Sequence, residues 1–242
     1  YHRLNLESVN SFVSISVSLT LIIIPIIFVL AQPDLGTSIL IASSGLIILW
    51  LGGVKIKYFF VSLAAFLISL PFIITYLEPY QKLRILTFLD PDRDPLGAGY
   101  QIIQSKIAIG SGGLSGKGFL QGTQSYLDFL PEKHTDFIFT LFSEEFGFVG
   151  SVGLLLLYTI IIIRIIQIGA ISRSSFAKMF CFGFAFAIFI YITVNLSMVL
   201  GLLPIVGSPL PIMSYGGSSM LATMIGFGIV LSAKIHNQQT IA

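Results

Sequence analysis

The chain has 242 residues, of which 55% are hydrophobic and 10% charged, with a net charge of +2. Soluble domains carry about 25% charged residues, so this chain cannot cover its surface with polar groups, and a water-soluble fold is excluded. The small charge argues against a nucleic-acid partner, and a single cysteine, Cys181, excludes a disulfide within the chain.

An integral membrane protein remains. Its spans must be helices, because open strands leave backbone groups unsatisfied in lipid. Each needs about 20 apolar residues. Runs of that kind fall at about 12–31, 35–51, 58–77, 137–163, 177–200 and 211–233. They predict an all-α polytopic protein of about six transmembrane helices, in one membrane domain over 1–242. The chain opens on Tyr1 rather than Met and shows no signal-peptide pattern, so it reads as the C-terminal portion of something longer.

The second span starts from Gln32-Pro33-Asp34. Asp34 there is a turn residue and helix cap, or a second acid of a site. Arg3, Lys55, Lys57, Arg164, Arg173, Lys178 and Lys234 mark one set of ends, which the positive-inside rule makes cytoplasmic. The opposite connections, 32–34 and 201–211, carry no Lys or Arg. On this reading residues 78–136 form one long loop outside. Connections of that length are commonly functional.

The loop contains Asp90-Pro-Asp-Arg-Asp-Pro95, a segment over Gln101–Ile109 that predicts a short interfacial helix, and a Gly-rich stretch from Gly110 to Gly122. That stretch fails the P-loop pattern, with Ser111 and Gly118 at the deciding positions, and predicts a flexible turn. Among the loop cations, Lys106, Arg84 and Lys117 are candidate partners for a phosphate-bearing substrate, Lys106 first because it falls in the predicted interfacial helix. Lys82, Arg93 and Lys133 complete the set of six, most of which should be solvated surface. His2, His134 and His236 are scattered and make no metal-ligand cluster.

The loop ends on Asp136, just before an apolar run. It caps a helix there, or acts as a general base whose pKa is raised by partial desolvation at the membrane surface; the two roles are compatible. Glu144 and Glu145 lie deeper in the same helix, where a charge is costly. At 100° per residue only Glu144 shares the Asp136 side, about 80° away. Either glutamate has the alternative of pairing with a basic group for packing. Near the end, Pro209-Leu-Pro-Ile-Met-Ser-Tyr-Gly-Gly-Ser218 mixes helix breakers with Ser214. It serves close helix packing, or irregular backbone lining a polar cavity with Ser214 as a substrate contact.

Taken together, Gln32-Pro-Asp-Leu-Gly-Thr37, Asp94-Pro-Leu-Gly-Ala-Gly-Tyr-Gln101, Gln104-Ser-Lys-Ile-Ala-Ile-Gly-Ser-Gly-Gly113, Gly116-Lys-Gly118, Leu130-Pro-Glu-Lys-His-Thr-Asp-Phe-Ile-Phe139, Glu144-Glu-Phe-Gly147 and Pro209-Leu-Pro-Ile-Met-Ser-Tyr-Gly-Gly217 resemble the SEDS family of cell-wall polymerases. Ile109-Gly-Ser-Gly-Gly113 and Gly122-Thr-Gln124 look like its RodA branch rather than its FtsW branch. The resemblance implies a GT-C-type glycosyltransferase that polymerises lipid II on the outer face of the bacterial cytoplasmic membrane during elongation. It makes Asp136 the catalytic residue, matches Asp34 to the family's Gln-Pro-Asp motif, and implies a class B penicillin-binding transpeptidase as partner. The family has about ten helices, so the first four would be missing here. In the expected mechanism Asp136 takes the proton of the acceptor sugar hydroxyl, while Lys106 and Arg84 offset the leaving diphosphate. No cofactor is fixed by the residues; a divalent cation is the one the chemistry would admit. The alternatives are a lipid II flippase and a non-catalytic scaffold for a transpeptidase.

Overall fold

A computed structural model describes residues 9–32, 34–76, 78–94, 97–123 and 134–236. Arg3, His2, Pro33, Pro95, Leu96 and residues 124–133, with Lys133, lie outside the described residues. Among the described residues all regular structure is helical. The order is α1 (Phe12–Leu30), α2 (Leu35–Leu51), α3 (Ile56–Tyr76), α4 (Pro79–Leu89), a 3-10 turn (Pro91–Arg93), α5 (Ala98–Ser111), α6 (Ile138–Ile171), α7 (Ser175–Val199) and α8 (Gly217–Ile235). Among the described residues four helices are long and apolar enough to cross a membrane: α1, α6, α7 and α8. α2 and Ile56–Phe72 of α3 are shorter apolar helices. This is the all-α polytopic membrane fold that hydropathy implied.

The differences from the sequence expectation have local causes. α4 lies where a loop was expected; it ends at Asp90-Pro91, where proline stops the helix. α5 extends beyond 101–109 at both ends. α8 begins at Gly217 rather than near 211, because Pro209 and Pro211 lack the N–H a helix needs and Ile212 takes a left-handed φ of 72°. α6 is broken at Gly147, with φ 66° and ψ −163°.

The contacts divide the chain into two compact units: Tyr1–Lys82, Ile165–Ala187 and Val230–Ala242 in one, Leu83–Arg164 and Ile188–Ile229 in the other. In the first, glycines let helices approach closely. A Cβ on Gly45 of α2 would lie 2.7 Å from Ile22 of α1, one on Gly183 of α7 would lie 2.9 Å from Ile48 of α2, and one on Gly169 of α6 would lie 2.7 Å from Cys181 of α7. α2 ends in a Schellman motif. Gly53 takes φ 95°, Gly53 N–H donates to Trp50 C=O and Val54 N–H to Leu49 C=O, and Leu49 and Val54 share a small apolar cluster. In the second unit a buried hydroxyl pair ties three helices: Ser105 of α5 lies 2.7 Å from Thr140 of α6 and donates to the Val199 carbonyl of α7 at 2.8 Å.

Candidate active site

The break in α6 is the first feature of the second unit. A helix end leaves N–H or C=O groups without intrahelical partners, and a mid-helix break exposes both kinds at once. The Gly-rich segment supplies what they lack. Lys117 N–H donates to Glu144 C=O and Gly118 N–H to Glu145 C=O, both at 3.0 Å. In return Phe148 N–H donates to Gly113 C=O at 2.9 Å and Val149 N–H to Leu114 C=O at 3.1 Å. Such closeness requires glycine: a Cβ on Gly116, whose φ is 78°, would stand 2.1 Å from the Glu145 carbonyl oxygen. The expected flexible turn is therefore a fitted plug.

A partly buried charge pair fixes the plug. Glu144 is fully buried, and its Oε1 accepts from Lys117 Nζ at 2.7 Å and from Thr123 Oγ1 at 3.0 Å. Glu145 is nearly buried, with its Cγ beneath Gly122. On the far side of the break, Ser151 Oγ donates to Gly147 C=O and lies 2.8 Å from Ser143 Oγ.

The second feature is the turn His134–Phe137. The helical ladder starts at Phe137, whose carbonyl accepts from Thr140 N–H at 3.0 Å, so Asp136 stands one residue before the cap position. Three consecutive carbonyls of the turn are held from outside it. Tyr215 N–H donates to His134 C=O at 2.9 Å, Ser214 Oγ to Thr135 C=O at 2.6 Å, and Asn195 Nδ2 to Asp136 C=O at 2.7 Å. Asp136 itself is half-buried. Its Oδ2 lies 3.5 Å from the place a Cβ on Gly207 would take.

Gly207 belongs to the connection 201–211, and two more of the expected site residues lie along it. The end of Lys106 lies over Gly201, with Nζ 2.6 Å from a Cβ built there. Arg84 Nη1 donates to Ile205 C=O at 3.2 Å, and Tyr158 donates to Pro211 C=O at 2.5 Å. Arg84 and Lys106 are exposed. Beside the turn, His134, Ile138, Ser214, Tyr215, Gly216 and Met220 line part of a cavity of about 650 Å³. An acid from the turn before α6, one cation from α4 and one from α5 thus lie against the same short connection.

Comparison with known proteins gives the family. The model of the FtsW/RodA/SpoVE cell cycle proteins matches residues 5–239. The chain belongs to this family. It is 49% identical over 223 residues to peptidoglycan glycosyltransferase MrdB of Escherichia coli K12, covering 92% of this chain and 60% of that one. It is 45% identical over 156 residues to peptidoglycan glycosyltransferase RodA of Treponema pallidum, covering 64% of this chain and 36% of that one. It also matches a chain of a solved peptidoglycan synthase complex that coordinates polymerization and crosslinking, with TM-score 0.77, 35% identity, and 95% of this chain and 64% of that chain covered. The chain thus spans about 60% of the length of the Escherichia coli relative.

For this member of the FtsW/RodA/SpoVE family, the expected site residues fall into four groups. Asp136, Arg84 and Lys106 each lie against the 201–211 connection. Lys117 and Glu144 pair with each other to hold the plug, so Glu144 does not join Asp136 in one cavity; the break at Gly147 and the Gly-rich segment claim its side chain instead. Ser214 contacts the site through the backbone: its hydroxyl donates to Thr135 C=O and accepts from Leu210 N–H at 2.7 Å. Asp34 lies in the first unit and caps α2, its two carboxylate oxygens accepting from Thr37 N–H at 3.0 Å and Thr37 Oγ1 at 2.6 Å. Among the described residues no three His, Cys, Asp or Glu side chains gather as ligands for a metal ion. Asn195 and Tyr158 were missed. Their signal is a hydrogen-bonding side chain inside an apolar run.

Proposed function

We propose that this protein is a peptidoglycan glycosyltransferase of the bacterial cytoplasmic membrane, polymerising lipid II with Asp136 as general base. The observation that carries the reading is the gathering of Asp136, Arg84 and Lys106 along one uncharged connection. The carboxylate takes the proton from the acceptor sugar hydroxyl as that oxygen attacks the anomeric carbon of the donor. The leaving group is a polyprenyl diphosphate, and the guanidinium and ammonium offset its charge. The names of the relatives support the substrate class, and the synthase complex supports a class B penicillin-binding transpeptidase as partner. The positive-inside distribution supports placing Asp136 on the outer face. A flippase would want its polar groups near the midplane; here the acid stands at the end of α6 and, with Arg84 of α4 and Lys106 of α5, against the connection 201–211.

The test is polymerisation of purified lipid II by the full-length protein, read as glycan product on a gel. Asp136→Asn keeps the shape of the side chain and should lower the rate by about 10²–10⁴-fold, with insertion and yield unchanged. A wild-type rate from that variant would remove Asp136 from the mechanism.

A further inference from the structure

We propose that Asn195 is a positioning residue: it fixes the main chain of Asp136 against the loop that faces its carboxylate, and so sets the aim of the base. The proposal rests on the reading of Asp136 as general base.

Asn195 lies on α7 with its side chain fully buried. An amide in that place costs free energy unless it is hydrogen-bonded. Its Nδ2 donates to Asp136 C=O at 2.7 Å and to Ser208 C=O at 2.6 Å. Both neighbours are acceptors, so the nitrogen must face them; turned over, the amide oxygen would oppose two carbonyls. Both protons of the amide are thereby engaged. One end of this bridge is the backbone of Asp136. The other is the residue after Gly207, the glycine that the Asp136 carboxylate approaches. The bridge therefore sets the distance between the acid and the wall it faces. Tyr215 and Ser214 also hold the turn, but they belong to the segment that follows the loop. Asn195 alone of the three donors sits on α7, and it refers turn and loop together to the helix. A misplacement of about 1 Å at a reacting group is worth up to about 10²-fold in rate.

The test uses the full-length protein and lipid II. Asn195→Gln keeps both amide protons but lengthens the side chain by one methylene, so the carbonyls stay satisfied while the bridge is displaced. The expected result is a fall in kcat of about tenfold or more per folded molecule, with KM within about twofold. Asn195→Ala should fall at least as far. In an Asp136→Asn background, Asn195→Gln should bring no further loss. A merely structural role predicts the reverse pattern: lower yield and Tm, with kcat per folded molecule unchanged. Wild-type kcat in both Asn195 variants would overturn the proposal, as would an undiminished further loss in the Asp136→Asn background. If Asp136→Asn alone runs at the wild-type rate, the general-base reading fails, and that failure is visible without any Asn195 variant.

Discussion

Asp136 and Glu144 stand on the same stretch of chain, one just before α6 and one inside it, and they are held in opposite ways. Glu144 is fully buried and its charge is met by Lys117 at 2.7 Å. Its side chain is fixed and its task is structural. At Asp136 the main chain is held, by Asn195 on its own carbonyl and by Ser214 and Tyr215 on the two before it. A carboxylate buried with its counter-ion is withdrawn from proton transfer. The Asp136 carboxylate sits instead on an anchored backbone at a half-buried turn, facing Gly207.

The sharpest way to break this contrast is at the buried pair. Lys117→Met leaves the Glu144 carboxylate without its counter-ion and should cost about 3–5 kcal/mol of stability. Thermal unfolding in detergent would show it, and adding Glu144→Leu should recover most of the loss. If Lys117→Met unfolds at the wild-type temperature, the pair does not hold the plug. Next is Gly116→Val, which sets a side chain against the Glu145 carbonyl at a left-handed φ. The expected cost is about 1–3 kcal/mol for the backbone strain alone, read as early proteolysis of the Gly-rich segment. At the Asp136 turn the effects on stability should be smaller. Ser214→Ala leaves Thr135 C=O without its donor, for about 1–3 kcal/mol, and polymerisation should fall more than the folded fraction does. The least is Tyr158→Phe, which removes one hydrogen bond to Pro211 C=O for about 0.5–1.5 kcal/mol. A Tyr158→Phe variant less stable than Lys117→Met would reverse the ranking and the contrast with it.

The six apolar runs were legible because hydropathy and length alone decide what crosses a bilayer. Asp136 was legible too, as an acid at the edge of such a run. The break at Gly147 was not. A glycine in an apolar helix ordinarily reads as close packing, as Gly45 and Gly183 in fact are. Its true partner, the segment Gly113–Gly118, is distant in sequence and acts through main-chain groups that no side-chain pattern announces. α4 was lost for a different reason: Lys82 and Arg84 break its hydropathy, so a half-exposed helix looks like loop. The depth of Glu144 marks its charge as costly, but its partner Lys117 reads from sequence as a contact of a phosphate-bearing substrate.

The connection Gly201–Pro211 contains no ionisable residue, and Ser208 is its one hydroxyl. It works through carbonyls at Ile205, Ser208 and Pro211 and through two left-handed glycines. Backbone atoms are untouched by most substitutions. Replacing its leucines, isoleucine and valine one at a time with alanine would leave those acceptors in place. Gly201→Ala would be different, because its new methyl meets the end of Lys106. A screen that counts conserved charges, or a side-chain scan that skips glycine and proline, would pass over the segment on which the acid and both cations depend.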